Sequence, residues 1–116
     1  LKEMVRNLVD NAINYTPSTE ENPGVITVRL LADKFGKVVV VQVEDSGPGI
    51  PEAERDLVFQ PFYRALGTEA DGSGLGLPIV IEIAHQHAAV VTLEDAYPGK
   101  SMPGARFTVR FSNTQA

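Results

Sequence analysis

Between residues 105 and 111 the chain alternates strictly between apolar and polar side chains, and this period of two limits the folds open to it. The apolar set is Ala105, Phe107, Val109 and Phe111, and the polar set is Arg106, Thr108 and Arg110. Successive side chains of a strand point to opposite faces, so one face is buried and the other meets water. The chain therefore needs a sheet that is covered on one side only.

The remaining periodic segments supply the partners of that strand. Residues 25–31 and 37–45 read as an antiparallel hairpin, and residues 89–94 as a partner strand. Residues 1–14 and 75–87 have helical spacing, and their apolar stripes are Leu1, Met4, Val5, Leu8 and Ala12, and Leu77, Val80, Ile81 and Ala84. These elements predict an α+β fold, a two-layer α/β sandwich with a mostly antiparallel sheet covered on one face by helices.

Length and composition narrow the function. A chain of 116 residues is too short for two ordinary domains, so we expect residues 1–116 to form one domain. A net charge of -5 with scattered basic residues disfavours nucleic acid as a partner. There is no cysteine for thiolate metal sites, and no apolar run approaches the ~20 residues of a membrane span, so we expect no direct membrane contact. Because the chain opens inside a helix at Leu1, we expect it to be a fragment of a longer protein.

Residues 46–73 hold four of the ten glycines and three of the eight prolines, and we interpret them as a loop with one short helix at residues 51–58. Irregular segments longer than about 12 to 15 residues in a compact domain are usually functional. This segment is expected to form a lid over a site.

Three asparagines share one face of the first helix. Asn7, Asn11 and Asn14 are spaced i, i+4 and i+7, which places them within about 60° of each other. Asparagine is a poor helix former, so an ordinary polar face would favour Glu, Lys or Gln. Either this is an awkward polar face, or the amide oxygens serve a ligand such as Mg²⁺.

Asp45 ends a strand at the parity of Val39, Val41 and Val43. A carboxylate pointing into the same layer as these valines would need a donor. The sequence from Asp45 to Gly49 is either a plain turn or a site where the carboxylate accepts a hydrogen bond from an amine such as that of adenine.

A glycine-rich stretch, Gly72-Ser73-Gly74-Leu75-Gly76-Leu77, runs into the second helix. Backbone amides at a helix start suit phosphates, although a flexible hinge is an equal alternative. The spacing fits neither a Rossmann fingerprint nor a Walker A loop. In the preceding stretch, Phe59 and Phe62 favour anchoring of the loop, and Arg64 either reaches a γ-phosphate or lies on the surface.

These four motifs, in this order, resemble the N, G1, F and G2 boxes of the sensor histidine kinase catalytic domain, within the gyrase, Hsp90, kinase and MutL (GHKL) ATP-binding superfamily. The matching segments are residues 6–17, 45–49, 58–64 and 72–76. The resemblance covers nearly the whole chain and implies a Bergerat-type ATP-binding fold with an ATP lid.

The resemblance also implies roles for individual residues. Asn11 would ligate Mg²⁺, Asn7 would support metal and phosphates, and Asp45 would bind the adenine amine. Asn14 stands where many relatives have a phosphate-binding Lys or Arg. The implied nucleotide-binding set is Asn7, Asn11, Asn14, Tyr15, Asp45, Gly47, Gly49, Ile50, Phe59, Tyr63, Arg64, Gly72, Ser73, Gly74, Leu75, Gly76 and Leu77, with Asn7 and Arg64 as the catalytic residues.

Related hydrolases carry Glu at the position of Asn7 as a general base, and an amide cannot accept that proton. The resemblance therefore implies phosphoryl transfer to a histidine on the protein's own dimerisation domain, and onward signalling to a response regulator receiver domain. It further implies a homodimeric full-length protein whose cytoplasmic part contains this domain, anchored at the inner membrane. A nucleotide-binding regulatory module and a serine-kinase relative are the alternatives.

Overall fold

The computed structural model describes residues 2–32, 37–60 and 76–112. Its helices and strands are, in chain order, α1 (Lys2–Tyr15), β1 (Ile26–Ala32), β2 (Val38–Asp45), α2 (Gly76–Gln86), β3 (Val90–Asp95) and β4 (Ala105–Ser112), with two 3₁₀ turns between β2 and α2 at Glu52–Glu54 and Leu57–Phe59.

The strands form one antiparallel sheet in the order β1-β2-β4-β3. Val43 is the pairing partner of Val28 on β1 and of Phe107 on β4, so the apolar residues of the central strands lie in one row. The predicted hairpin and the predicted partner strand at residues 89–94 are both confirmed, with boundaries shifted by one residue.

Both helices pack on the same face of this sheet. Phe107 and Val43 are 1% exposed, and Val109 is fully buried, as are Met4 and Leu8 of α1. They form one cluster with Leu77, Val80 and Ala84 of α2. The predicted two-layer α+β fold with helices on one face is confirmed.

Two local predictions were wrong. Residues 51–58 form no single helix: Glu52–Glu54 and Leu57–Phe59 are separate 3₁₀ turns. The second turn ends at Gln60, whose backbone is extended (φ -79, ψ 145), the conformation that a following proline favours. The separate 3₁₀ turns bury Val58 and bring Phe59 against the core. Ile81 was assigned to the buried stripe of α2, but its side chain is 38% exposed. Among the described residues, none of the helices has the length and apolar content to cross a membrane.

The packing of α1 can be tested by replacing Leu8 with alanine. Leu8 is fully buried, so Leu8→Ala should lower the free energy of unfolding by about 2–5 kcal/mol through lost burial and a cavity. Ile13→Ala on the same helix removes a side chain that is 55% exposed and should change stability by less than about 0.5 kcal/mol. Urea unfolding followed by circular dichroism measures both, and equal losses would contradict the assigned helix face.

Candidate functional site

The carboxylate of Asp45 lies at the end of β2 on the face covered by helices, with only 2% of the residue exposed. Its Oδ1 atom accepts hydrogen bonds from the backbone N–H groups of Gly47 at 2.9 Å and Ala105 at 3.2 Å. Both hydrogen bonds from described residues end on Oδ1. The Oδ2 atom is therefore the one available to a donor on a ligand.

Burial raises the pKa of Asp45 above its ordinary value, and the hydrogen bonds from Gly47 and Ala105 oppose this effect without cancelling it. The ionised form is thus incompletely compensated by the protein. A ligand that donates a hydrogen bond to Oδ2 would stabilise the charged form.

The turn after Asp45 is held in place on both sides. The Ser46 N–H donates to the Val25 carbonyl at 3.0 Å, and the Ser46 hydroxyl accepts from the Val25 N–H at 2.8 Å. Gly49 has a φ of +80°, a conformation that favours glycine, and a Cβ there would lie 2.9 Å from the Gly104 carbonyl oxygen. The side chain of Arg55 donates to the Ile50 carbonyl at 3.1 Å and so fixes the far end of the turn.

Gly104, before β4, is the residue that sequence reasoning missed. Its N–H donates to the Gly47 carbonyl at 2.9 Å, and its φ is +66°. A Cβ on Gly104 would lie 2.0 Å from the backbone oxygen of Asp45. This close approach is what allows the next N–H, that of Ala105, to reach Asp45. The only sequence signal is a Pro-Gly pair at residues 103–104, which marks a turn but not its partner.

The asparagines of α1 differ in exposure: Asn7 and Asn11 are partly buried, and Asn14 is exposed. The side-chain Nδ2 of Asn7 donates to the Glu3 carbonyl at 2.9 Å. Its Oδ1 is therefore the atom free to face a cation or a donor. Amide oxygens are hard, neutral ligands that suit Mg²⁺ when phosphates and waters supply the rest.

A shared hydrophobic core brings the predicted motifs together. Ile50, at the end of the Asp45 turn, is 5% exposed and belongs to the same buried cluster as Leu8 and Ala12 of α1. Leu77 at the start of α2 joins this cluster, and the Phe59 ring meets Phe107 edge-on with centroids 5.9 Å apart. Packing in this core therefore fixes the position of three predicted nucleotide-binding residues, namely Ile50, Phe59 and Leu77.

Residues 1–115 match the HATPase_c model, described as histidine kinase-, DNA gyrase B- and HSP90-like ATPase. The chain belongs to this family. The resemblance drawn from the four motifs is confirmed, and residues 1–115 are called the HATPase_c domain below.

Proteins similar to the HATPase_c domain include sensor histidine kinases. The domain is 44% identical over 110 residues to the signal transduction histidine-protein kinase/phosphatase MprB of Mycobacterium sp. (strain KMS). This alignment covers 94% of this chain and 20% of the relative. A solved structure of the mycobacterial sensor histidine kinase MprB superimposes with a TM-score of 0.83 at 32% identity, covering 95% of this chain and 70% of that one. Full-length ShkA in complex with AMPPNP gives a TM-score of 0.70 at 27% identity, covering 98% of this chain and 22% of that one. The chain thus spans about a fifth of the length of the curated relatives it matches.

Two further predicted nucleotide-binding residues of the HATPase_c domain lie at helix ends. Gly76 begins α2, and Tyr15 ends α1, although its side chain is not described. The remaining predicted residues lie outside the described part of the chain, namely Phe62, Tyr63, Arg64, Gly72, Ser73, Gly74 and Leu75. Their roles stay predictions from the sequence.

Proposed function

We propose that this HATPase_c domain binds Mg·ATP and donates the γ-phosphoryl group to a histidine on a separate dimerisation domain of the same protein, for relay to a response regulator. The single observation that carries the nucleotide assignment is Asp45, a buried carboxylate whose Oδ1 is held by two backbone N–H groups while Oδ2 is left for a ligand. The AMPPNP bound to the similar ShkA supports an adenine nucleotide as that ligand.

Adenine suits Asp45 because its exocyclic amine donates a hydrogen bond where the protein offers an acceptor. The carboxylate is nearly excluded from water, so a base with a carbonyl in place of the amine would set oxygen against oxygen. A hydrogen bond to a charged group is worth about 1.5–3 kcal/mol. We therefore expect adenine to be preferred over hypoxanthine by about 10- to 100-fold.

Asn11 is the residue that would hold Mg²⁺, because its side chain offers the kind of hard oxygen that this ion prefers. Its Oδ1 supplies a neutral oxygen, so most of the charge compensation would come from the metal–phosphate contacts themselves. When bound, the metal would neutralise charge on the β- and γ-phosphates. Asn7 lies one turn earlier, and its Nδ2 is engaged by the Glu3 carbonyl. Its Oδ1 would orient the metal and the phosphates.

The presence of Asn7 favours transfer over hydrolysis. An amide cannot take a proton from water, so this position lacks a general base for hydrolysis. Transfer to histidine needs no strong base: the lone pair of the unprotonated imidazole nitrogen forms the new N–P bond, and the bond from the γ-phosphorus to the bridging oxygen breaks. ADP leaves with that electron pair, and the proton on the other ring nitrogen is released to water. Positioning and charge neutralisation then carry most of the catalysis.

Asn11→Ala should remove the contribution of Mg²⁺ to nucleotide binding. In calorimetry, Mg²⁺ should strengthen ADP binding to the unsubstituted chain, and the variant should lose about tenfold of that gain, with metal-free affinity unchanged. Asp10→Ala, an exposed neighbour on the same helix, is the control and should retain the full gain. A variant that responds to Mg²⁺ like the control would refute the metal assignment.

Phosphoryl transfer is tested with labelled ATP and the matching dimerisation domain. Acid-labile label on that domain's histidine supports the kinase, and tight ATP binding without transfer points instead to a regulatory nucleotide-binding module. An acid-stable phosphoprotein points to a serine-kinase relative.

In the proposed setting, the full-length protein is a homodimer anchored at the inner membrane, with this domain on its cytoplasmic side.

A further inference from the structure

A carboxylate is buried on the face of the sheet opposite Asp45, where the sequence predicted only a wet surface. The Glu44 side chain is 1% exposed and forms ion pairs with Arg29 of β1 and Arg106 of β4. The Arg106 contact runs from Nε to Glu44 Oε1 at 3.3 Å. Since a buried carboxylate without partners is strongly disfavoured, these arginines are required neighbours.

The guanidinium of Arg106 also reaches the end of β3. It donates to the Ala96 carbonyl at 3.3 Å and contacts Glu94 Oε1 at 3.5 Å. One side chain on β4 therefore joins the ends of β2 and β3 on the face of the sheet opposite the helices, which we call the outer face. The planar, multiply donating group of arginine is suited to such bridging, and lysine is not.

This bridge lies directly behind the adenine site. Glu44 pairs in register with Arg106, and the next residues, Asp45 and Ala105, make the 3.2 Å contact on the inner face. The contact depends on the relative position of two strand ends. A displacement of about 0.5 Å at those ends would lengthen it beyond a good hydrogen bond.

We propose that Arg106, through its bridge to Glu44 and Ala96, is a positioning residue that holds the Asp45 carboxylate for recognition of the adenine amine. The inference rests on the proposed role of Asp45 in nucleotide binding. Buried ion pairs contribute weakly to net stability against apolar replacements, whereas they fix geometry where strands must keep register. The location of this pair, at the ends of β2 and β4 and back to back with Asp45, favours the geometric role.

The test compares affinities of the whole chain for ADP and for inosine diphosphate, which carries a carbonyl in place of the amine. Arg106→Met keeps the aliphatic stem but removes the bridge. It should weaken ADP binding by about three- to tenfold and change inosine diphosphate binding by less than about twofold, because only the amine contact depends on Asp45. Arg110→Met, which removes an exposed arginine from the same face of β4, should leave both affinities unchanged.

Glu44→Gln provides a second variant, in case Arg106→Met unfolds, because glutamine has nearly the same shape as glutamate. It should also reduce the preference for ADP over inosine diphosphate. Equal weakening of both nucleotides in either variant would indicate general loosening and overturn the positioning role. Asp45→Asn separates the two levels of the proposal. If it keeps the preference for ADP, the adenine assignment itself fails; if it removes the preference while Arg106→Met and Glu44→Gln retain it, only the positioning role fails.

Discussion

Replacing Gly104 with alanine should lower the free energy of unfolding by at least about 3 kcal/mol and abolish nucleotide binding. The new Cβ would lie 2.0 Å from the backbone oxygen of Asp45 and 3.0 Å from its carbonyl carbon. Backbone on both sides cannot rotate away as a side chain can, so β4 would have to move from the Asp45 turn. That movement would break the Ala105 hydrogen bond to the carboxylate.

Gly99→Ala is the matched control. Gly99 also has positive φ, at +85°, but among the described residues, apart from its two chain neighbours, no atom lies within 4 Å of its added Cβ. It should lose only the conformational preference of glycine, about 1 kcal/mol, and should bind ADP normally. Thermal unfolding and calorimetry with ADP measure both effects. Equal losses of stability in the two variants would mean that the close approach at Gly104 is relieved at little cost.

The position of Asp45 could be predicted from the sequence, because strand parity alone links it to the buried valines. Val41 and Val43 are buried and so is Asp45, as the period of two requires. The donors that hold the carboxylate could not be predicted. Ala105 is 60 residues away, and its approach depends on the φ of Gly104, which no local pattern encodes.

The burial of Glu44 on the outer face could not be predicted from the sequence either, because it also depends on contacts between strands. Polar residues at alternate positions of β4 predict a solvated surface, and Arg110 fits this expectation. Glu44 does not, because arginines from both neighbouring strands cover it. Burial by cross-strand partners depends on register, and register was known only once the strands were paired.

Asp45→Asn should raise the stability of the nucleotide-free chain at neutral pH while weakening ADP binding by at least about tenfold. An asparagine Oδ1 can still accept from Gly47 and Ala105, but the amide carries no charge to desolvate. Its Nδ2 would then face the adenine amine, donor against donor. The expected gain in Tm is on the order of a few degrees.

The pH dependence of this gain follows from the raised pKa of Asp45. A carboxyl whose pKa is higher in the folded than in the unfolded chain destabilises the fold only when ionised. The penalty is absent below the ordinary pKa of 3.8, grows as pH rises toward the folded-state pKa, and is complete above it. The advantage of the variant should therefore be larger at neutral pH than in acid and shrink on acidification toward the ordinary pKa of 3.8.

Urea midpoints from neutral pH down to about pH 4 measure this advantage, and Asp95→Asn provides a control of opposite sign. Asp95 accepts from Arg55 at 2.9 Å, so its neutralisation removes an attraction and should lower stability slightly at neutral pH. Protonation of ADP itself lowers its affinity for both chains, but the affinity of the unsubstituted chain should fall more steeply on acidification than that of Asp45→Asn, because Asp45 becomes protonated as well. A variant no more stable than the parent at neutral pH would mean that the two backbone donors fully compensate the buried charge, and Asp45 would then need no ligand to satisfy it.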